Sequence, residues 1–99
     1  MAAEYTVTRE GEDAGAIVLR REGRAVGQLD FRVSGSSLDI NYVVVDPSIR
    51  GQGLGVRLVE AAVDWARETG RTVRPFCGYA SRVLRTDVRY QDVLSSGRS

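Results

Sequence analysis

The stretch Val45-Asp46-Pro47-Ser48-Ile49-Arg50-Gly51-Gln52-Gly53-Leu54-Gly55 carries the residue types of an anion cradle. Glycines stand at three alternate positions, 51, 53 and 55, just where an apolar strand pattern gives way to a helical one. Glycine accepts positive φ and lets a ligand approach the backbone closely. The first N–H groups of a helix lack intrahelical acceptors and carry the positive end of its dipole, so a strand–glycine turn–helix suits a phosphate group. A Walker loop would continue Gly-Lys-Ser/Thr, and this one does not. A dinucleotide turn would read Gly-x-Gly-x-x-Gly early in a βαβ unit, whereas here the glycines read Gly-x-Gly-x-Gly after a run of antiparallel-looking strands. A second chemical cluster lies downstream in Pro75-Phe76-Cys77-Gly78-Tyr79, which holds the chain's single thiol beside a phenol.

What is missing narrows the chemistry further. The chain has no His, and all 14 of its basic residues are Arg. Imidazole bases, His metal ligands, Schiff-base lysines and P-loop lysines are therefore excluded. One cysteine allows neither an internal disulfide nor a cysteine zinc site, and no metal is expected. Residues 1–49 hold 5 Arg and 8 acids (−3), residues 50–69 hold 3 and 3 (0), and residues 70–99 hold 6 and 2 (+4), summing to the net +1. That balance argues against general nucleic-acid binding and leaves room for a local anion site in the second half. No apolar run approaches the ~20 residues of a membrane helix. The opening Met1-Ala2-Ala3-Glu4 lacks the charged and apolar regions of a signal peptide, so a cytoplasmic protein is the simplest reading.

The elements that must position these residues can be read from periodicity. Ninety-nine residues predict one domain, 1–99, with one modest core. At 42% hydrophobic and 27% charged, the chain is too apolar to be disordered. Strands are expected at Tyr5–Arg9, Ala16–Arg21, Ala25–Ser34 and Leu38–Val45, with Glu10–Gly15 as a loop and turns at Glu22-Gly23-Arg24 and around Gly35. In the third strand Leu29, Phe31 and Val33 point one way and Gln28, Asp30 and Arg32 the other. Tyr42 to Val45 is nearly all apolar, which predicts a strand covered on both faces. Over Val56–Thr69 the charged Arg57, Glu60, Asp64, Arg67 and Glu68 form one stripe of a helix, and Leu58, Val59, Ala62, Val63, Trp65 and Ala66 cover the other side. Gly70 suits the position after its C-terminus. A short strand Arg71–Arg74 and a helix Tyr79–Arg85 follow, and the tail Ser95–Ser99 is expected to fray. The order β-β-β-β-α-β-α is an α+β plan with a mostly antiparallel sheet.

Arg50-Gly51-Gln52-Gly53-Leu54-Gly55, approached through Val45-Asp46-Pro47, resembles the Arg/Gln-x-x-Gly-x-Gly/Ala signature of the GCN5-related N-acetyltransferases (GNAT). Full domains of that superfamily are longer and begin with two helices, whereas this pattern starts directly in strands. It resembles the short GNAT-like subfamily, whose Pro-x-Cys-x-Tyr motif is matched by Pro75-Phe76-Cys77-Gly78-Tyr79. The aromatic and acidic-apolar ending of that subfamily is matched by Tyr90-Gln91-Asp92-Val93-Leu94. The likeness is clear from Leu38 to Leu94 and holds in outline before that.

The resemblance implies a minimal GNAT fold without the N-terminal helices, with strands four and five splayed to admit acetyl-CoA. It places pyrophosphate on the Arg50–Gly55 loop and Val56, and pantetheine along the backbone of Val43, Val44 and Val45. The acetyl group would sit near Cys77 and Tyr79, and the acceptor would be an amine on a protein side chain or a small molecule. Cys77 could accept the acyl group, if a helix N-terminus stabilises its thiolate; it could only line the acetyl pocket; or it could be a buried small hydrophobe. Tyr79 could protonate the departing thiolate or simply begin a helix. Short members often carry His-Thr five residues before the proline, and Tyr42-Val43 stands there instead. Tyr42 could replace the base, though a phenol pKa near 10 suits it poorly, and packing on a strand is the plainer reading. Asp39 and Asn41, placed by alternation on the opposite face from Tyr42, are further candidates. Arg82, Arg85 and Arg89 recur as a helical stripe that is either a solvated face or a contact for the 3′-phosphate, with Arg74 and Arg50 adding to the same field. Three functions follow: an acetyl-CoA-dependent N-acetyltransferase, a CoA-binding module with little catalysis, or a small protein-interaction domain.

Overall fold

The computed structural model describes residues 4–94. The tail expected to fray, 95–99, lies outside the described residues, as do residues 1–3. Five strands form one sheet in chain order: β1 (Tyr5–Gly11), β2 (Ala14–Arg21), β3 (Arg24–Ser34), β4 (Ser37–Val45) and β5 (Thr72–Pro75). The first three pairings are antiparallel hairpins, and β4 with β5 is parallel. The crossover between them carries α1 (Leu54–Glu68), and α2 (Gly78–Thr86) follows β5. This is the expected α+β order. The Glu10–Gly15 segment is shorter as a loop than its composition suggests, because β1 runs on to Gly11 and β2 begins at Ala14.

Both helices lie on one face of the sheet. Ile17, Leu19, Leu29, Phe31, Leu38, Ile40 and Val73 project from that face into a single cluster with Leu58, Val59, Ala62, Val63 and Ala66 of α1 and Ala80 and Leu84 of α2. The periodicity of α1 explains its docking, since its buried residues recur every three or four positions. Trp65 at the margin meets Phe31 edge to face, with ring centres 4.9 Å apart. Thr69 closes the helix by donating its N–H to Trp65 O and Ala66 O, and Gly70 follows at φ 68°. The other face carries no helix among the described residues. Tyr42 and Val44 are therefore 46% and 45% exposed, which corrects the expectation that the apolar end of β4 is covered on both sides. Among the described residues no helix is long and apolar enough to cross a membrane.

The chain after α2 closes the free edge of β5. Val73 donates its N–H to Val93 O at 2.7 Å, and Leu94 forms a parallel bridge with Val73. Arg67 of α1 clamps this segment through a two-pronged bond to Asp92 and a bond to Arg89 O.

Candidate functional site

The site begins where β4 leaves β5. Their register runs from Ser37↔Thr72 to Ile40↔Pro75, and the last link is Phe76 N–H to Ile40 O at 2.8 Å. Beyond Ile40, β4 continues to Val45 with β3 on one edge only. At the same point β4 bulges: Phe31 pairs with Ile40 and Asp30 with Tyr42, leaving Asn41 without a partner. A bulge bends and twists its strand, so the strand turns away where its neighbour stops. The edge of Asn41–Val45 that faces away from β3 has no neighbouring strand among the described residues, and only the Arg50 Nε–H reaches it, donating to Val45 O at 3.4 Å, so the rest can pair with an extended chain bearing amides.

The loop from β4 to α1 is built by local bonds. Asp46 donates its N–H to Val26 O and accepts from the backbone N–H and hydroxyl of Ser48 at 2.9 Å each. Those bonds, the backbone one foremost, hold its carboxyl below the usual carboxylate range. Pro47 opens a 3-10 turn to Ile49, whose side chain is buried. Gly51 and Gly53 then take φ of 88° and 73°, and Gly53 caps α1 from the left-handed region. A side chain there would be strained, which explains two of the glycines. The first turn of α1 holds no acidic residue, so no carboxylate of the helix itself opposes an anion at its N-terminus.

These parts enclose a cavity of about 540 Å³, lined by Val43, Val44, Val45, Ile49, Arg50, Gly51, Gly53, Leu54, Gly55 and Tyr79. The unpaired edge of β4 forms one wall, the glycine loop and α1 a second, and Tyr79 from the first turn of α2 reaches in opposite. Gln52 and Val56 belong to the same loop and first turn without lining the cavity. Cys77 is half-buried and caps α2 with extended backbone, two residues before Tyr79, and does not line the cavity either. Arg82 is exposed on α2 and outside the lining. Ile49 was not anticipated in the lining, although it is the one large apolar residue between Pro47 and Gly53.

The remaining polar candidates sit on the open face of the sheet. Tyr42 lies there beside Asp30, whose charge is the main cause that pushes its phenol above the ordinary value, with burial and a hydrogen bond adding to it. Such a phenol keeps its proton at neutral pH. The bulge also alters the parity assumed for Asp39: it pairs opposite Arg32 and so shares the open face with Tyr42. Asp39 is buried, held by Arg74 through Nε and Nη2 at 2.9 and 3.0 Å and by the Ser37 hydroxyl at 2.7 Å. The Arg74 bond is the chief reason its carboxyl sits below the usual range. Arg74 is thereby engaged away from the cavity. The expected arginine stripe is also broken, because α2 ends at Thr86 and Arg89, on the next turn, binds Asp87 and Glu60.

The sequence model described as GCN5-related N-acetyl-transferase matches residues 16–93. The chain belongs to that family. Its element order β-β-β-β-α-β-α, the parting of β4 from β5 and the glycine loop at α1 match what the resemblance implies for a GNAT domain, and the β4–β5 pairing is parallel. Among solved structures, a GCN5-like protein from Staphylococcus aureus is 28% identical, with a TM-score of 0.69 over 91% of this chain and 87% of that one. The ribosomal-protein-S18-alanine N-acetyltransferase of Escherichia coli is 25% identical, with a TM-score of 0.59 over 65% of this chain and 42% of that one. This GNAT chain thus spans less than half the length of the Escherichia coli enzyme. An aminoglycoside N-acetyltransferase solved in complex with CoA shares the fold at 17% identity and a TM-score of 0.59, over 76% of this chain and 66% of that one. No curated protein sequence matches the chain.

Proposed function

We propose that this GNAT domain is an acetyl-CoA-dependent N-acetyltransferase. The observation that carries the reading is one cavity walled by both an unpaired strand edge and a positively polarised helix N-terminus. CoA has the matching halves, an amide-bearing pantetheine and a pyrophosphate. The residues fit it: backbone N–H groups of the Gly51–Val56 stretch would hold the pyrophosphate, Arg50 at the rim would add charge, and Val43–Val45 would pair with the pantetheine amides. When bound, acetyl-CoA supplies an acetyl group activated as a thioester. The chain orients that group against an incoming neutral amine, and fixing two reactants in register supplies a large share of any rate gain. Tyr79 lines the cavity, and its hydroxyl would serve as the proton donor to the departing sulfur. Arg50 and Tyr79 are the only ionisable side chains in the lining, so the amine's proton would leave through water. The acceptor is an amine, on a protein or a small molecule, taken up in the cytoplasm.

Calorimetry with CoA and acetyl-CoA is the direct test. Saturable binding by both is expected, and its absence would sink the reading. Turnover is then followed by mass spectrometry across a panel of primary amines and peptide N-termini. Binding with neither turnover nor acetylated protein would instead indicate a CoA-binding module, a reading favoured only by the lack of a carboxylate in the lining.

A further inference from the structure

The three glycines of the loop do not serve one purpose. Gly51 and Gly53 are fixed by positive φ, and a Cβ on either would meet nothing within 4 Å. Gly55 has ordinary helical backbone in the first turn of α1, where an L-residue is at home and alanine has a higher helix propensity than glycine. It is excluded by space alone. A Cβ built there would lie 2.6 Å from the Tyr79 hydroxyl oxygen, 2.9 Å from its Cζ and 3.0 Å from its Cε2. All three atoms belong to one ring end. Both residues line the cavity, so the contact lies in its wall rather than in the core.

We propose that Gly55 is a positioning residue for Tyr79: its missing side chain is the seat that holds the tyrosine hydroxyl in the cavity wall between the N-termini of α1 and α2. Tyr79 is held at its Cα by the first turn of α2, and its half-buried ring packs against the core cluster, which limits how far the ring can swing away from α1. The missing side chain of the third glycine then serves the proton donor, while its backbone N–H stays in the Gly51–Val56 row that would hold the pyrophosphate and is kept in an alanine variant. The catalytic half of this inference rests on the proposed role of Tyr79. In that role the C–S bond of the thioester breaks, the electron pair stays on sulfur, and the proton moves from the Tyr79 oxygen to that sulfur. The oxygen regains a proton from the newly formed amide nitrogen by way of water.

A melting cycle with the full chain tests the seat without any ligand. Gly55→Ala should lower the melting temperature when Tyr79 is present and raise it, or leave it unchanged, in the Gly55→Ala/Tyr79→Ala double variant relative to Tyr79→Ala. A Gly55→Ala protein that melts at or above the wild type overturns the proposal. Should Gly55→Ala fail to fold, folding of the double variant carries the same support, and its failure overturns the seat as well. The second measurement separates chemistry from binding. Gly55→Ala should keep its calorimetric Kd for CoA within threefold and lose tenfold or more in kcat with the best amine of the panel. A Kd weakened as much as kcat would mean that Gly55 serves the pyrophosphate, which also overturns it. If the wild type binds no CoA, the acetyltransferase reading fails, and the melting cycle still decides the seat.

Discussion

Gly53 lets two separate physical demands be taken apart by substitution. Its φ of 73° is left-handed, and a Cβ there stands in open space at the cavity lining. Gly53→Ala should therefore cost only the backbone term, about 1–2 kcal/mol for an L-residue in that region, with no clash added. For a domain of 99 residues, each kcal/mol moves the melting temperature by about 4–8 °C. A fall of roughly 4–15 °C is expected for Gly53→Ala. Asparagine tolerates the left-handed region far better, so Gly53→Asn should melt close to the wild type. Both variants still place a Cβ where the pyrophosphate would approach on the proposed reading. Displacing even one charge-assisted hydrogen bond costs about 1.5–3 kcal/mol, or some 10- to 150-fold in Kd. The assay is a thermal melt of each protein beside calorimetry with CoA at a temperature where all are folded. Gly53→Asn should thus be stable and still bind CoA at least tenfold more weakly. Wild-type affinity in that variant would refute the close-approach argument, and a wild-type melt for Gly53→Ala would refute the strain argument.

Three further outcomes follow from contacts described above. Asp39→Asn should reduce stability at neutral pH, and the gap to the wild type should close as pH falls. The carboxyl is held below its unfolded value, so its contribution is present above pH 3.8 and is lost through the lower folded value, as urea titrations at several pH values will read. Leu58→Ala removes a fully buried side chain of α1 and should cost about 2–5 kcal/mol in urea unfolding. That is a large share of the 5–15 kcal/mol typical of a domain, and a loss under 1 kcal/mol would contradict the packing. Arg67→Ala should speed hydrogen exchange at the Val73 amide, which donates to Val93 in the segment that Arg67 clamps, and should leave the β2–β3 amides unchanged.

The glycine loop, the long helix and the alternation of Leu29 and Phe31 were legible in the sequence because each is set by neighbours within a few positions. The bulge at Asn41 was not. Nothing local marks it, and it reverses the parity on which Asp39 was placed opposite Tyr42. The arginine stripe was misread for a related reason. Arg89 looked free on a helical wheel, yet its partner Glu60 lies 29 positions away, and Arg74 is held by Asp39 at a distance of 35. Exposure of Val44 followed from the helices settling on one face, which a run of valines cannot announce. The space at Gly55 likewise depends on a tyrosine brought in by a second helix.

The strands lie side by side in the order in which they are made, with one exception in kind. Three pairings close through short turns, whereas Ser37 meets Thr72 only across 35 positions. Closing that loop is the step of highest contact order and should govern the folding rate. The cleft is formed by the same step, since it exists only once β5 has docked and α1 has crossed over. A nascent or partly unfolded chain thus has a meander and no cradle. Any molecule that fills the cleft binds the completed fold alone and stabilises it by mass action, by about 2.7 kcal/mol at a hundred times its Kd. Cofactor supply and survival of the folded chain are, in this small domain, coupled quantities.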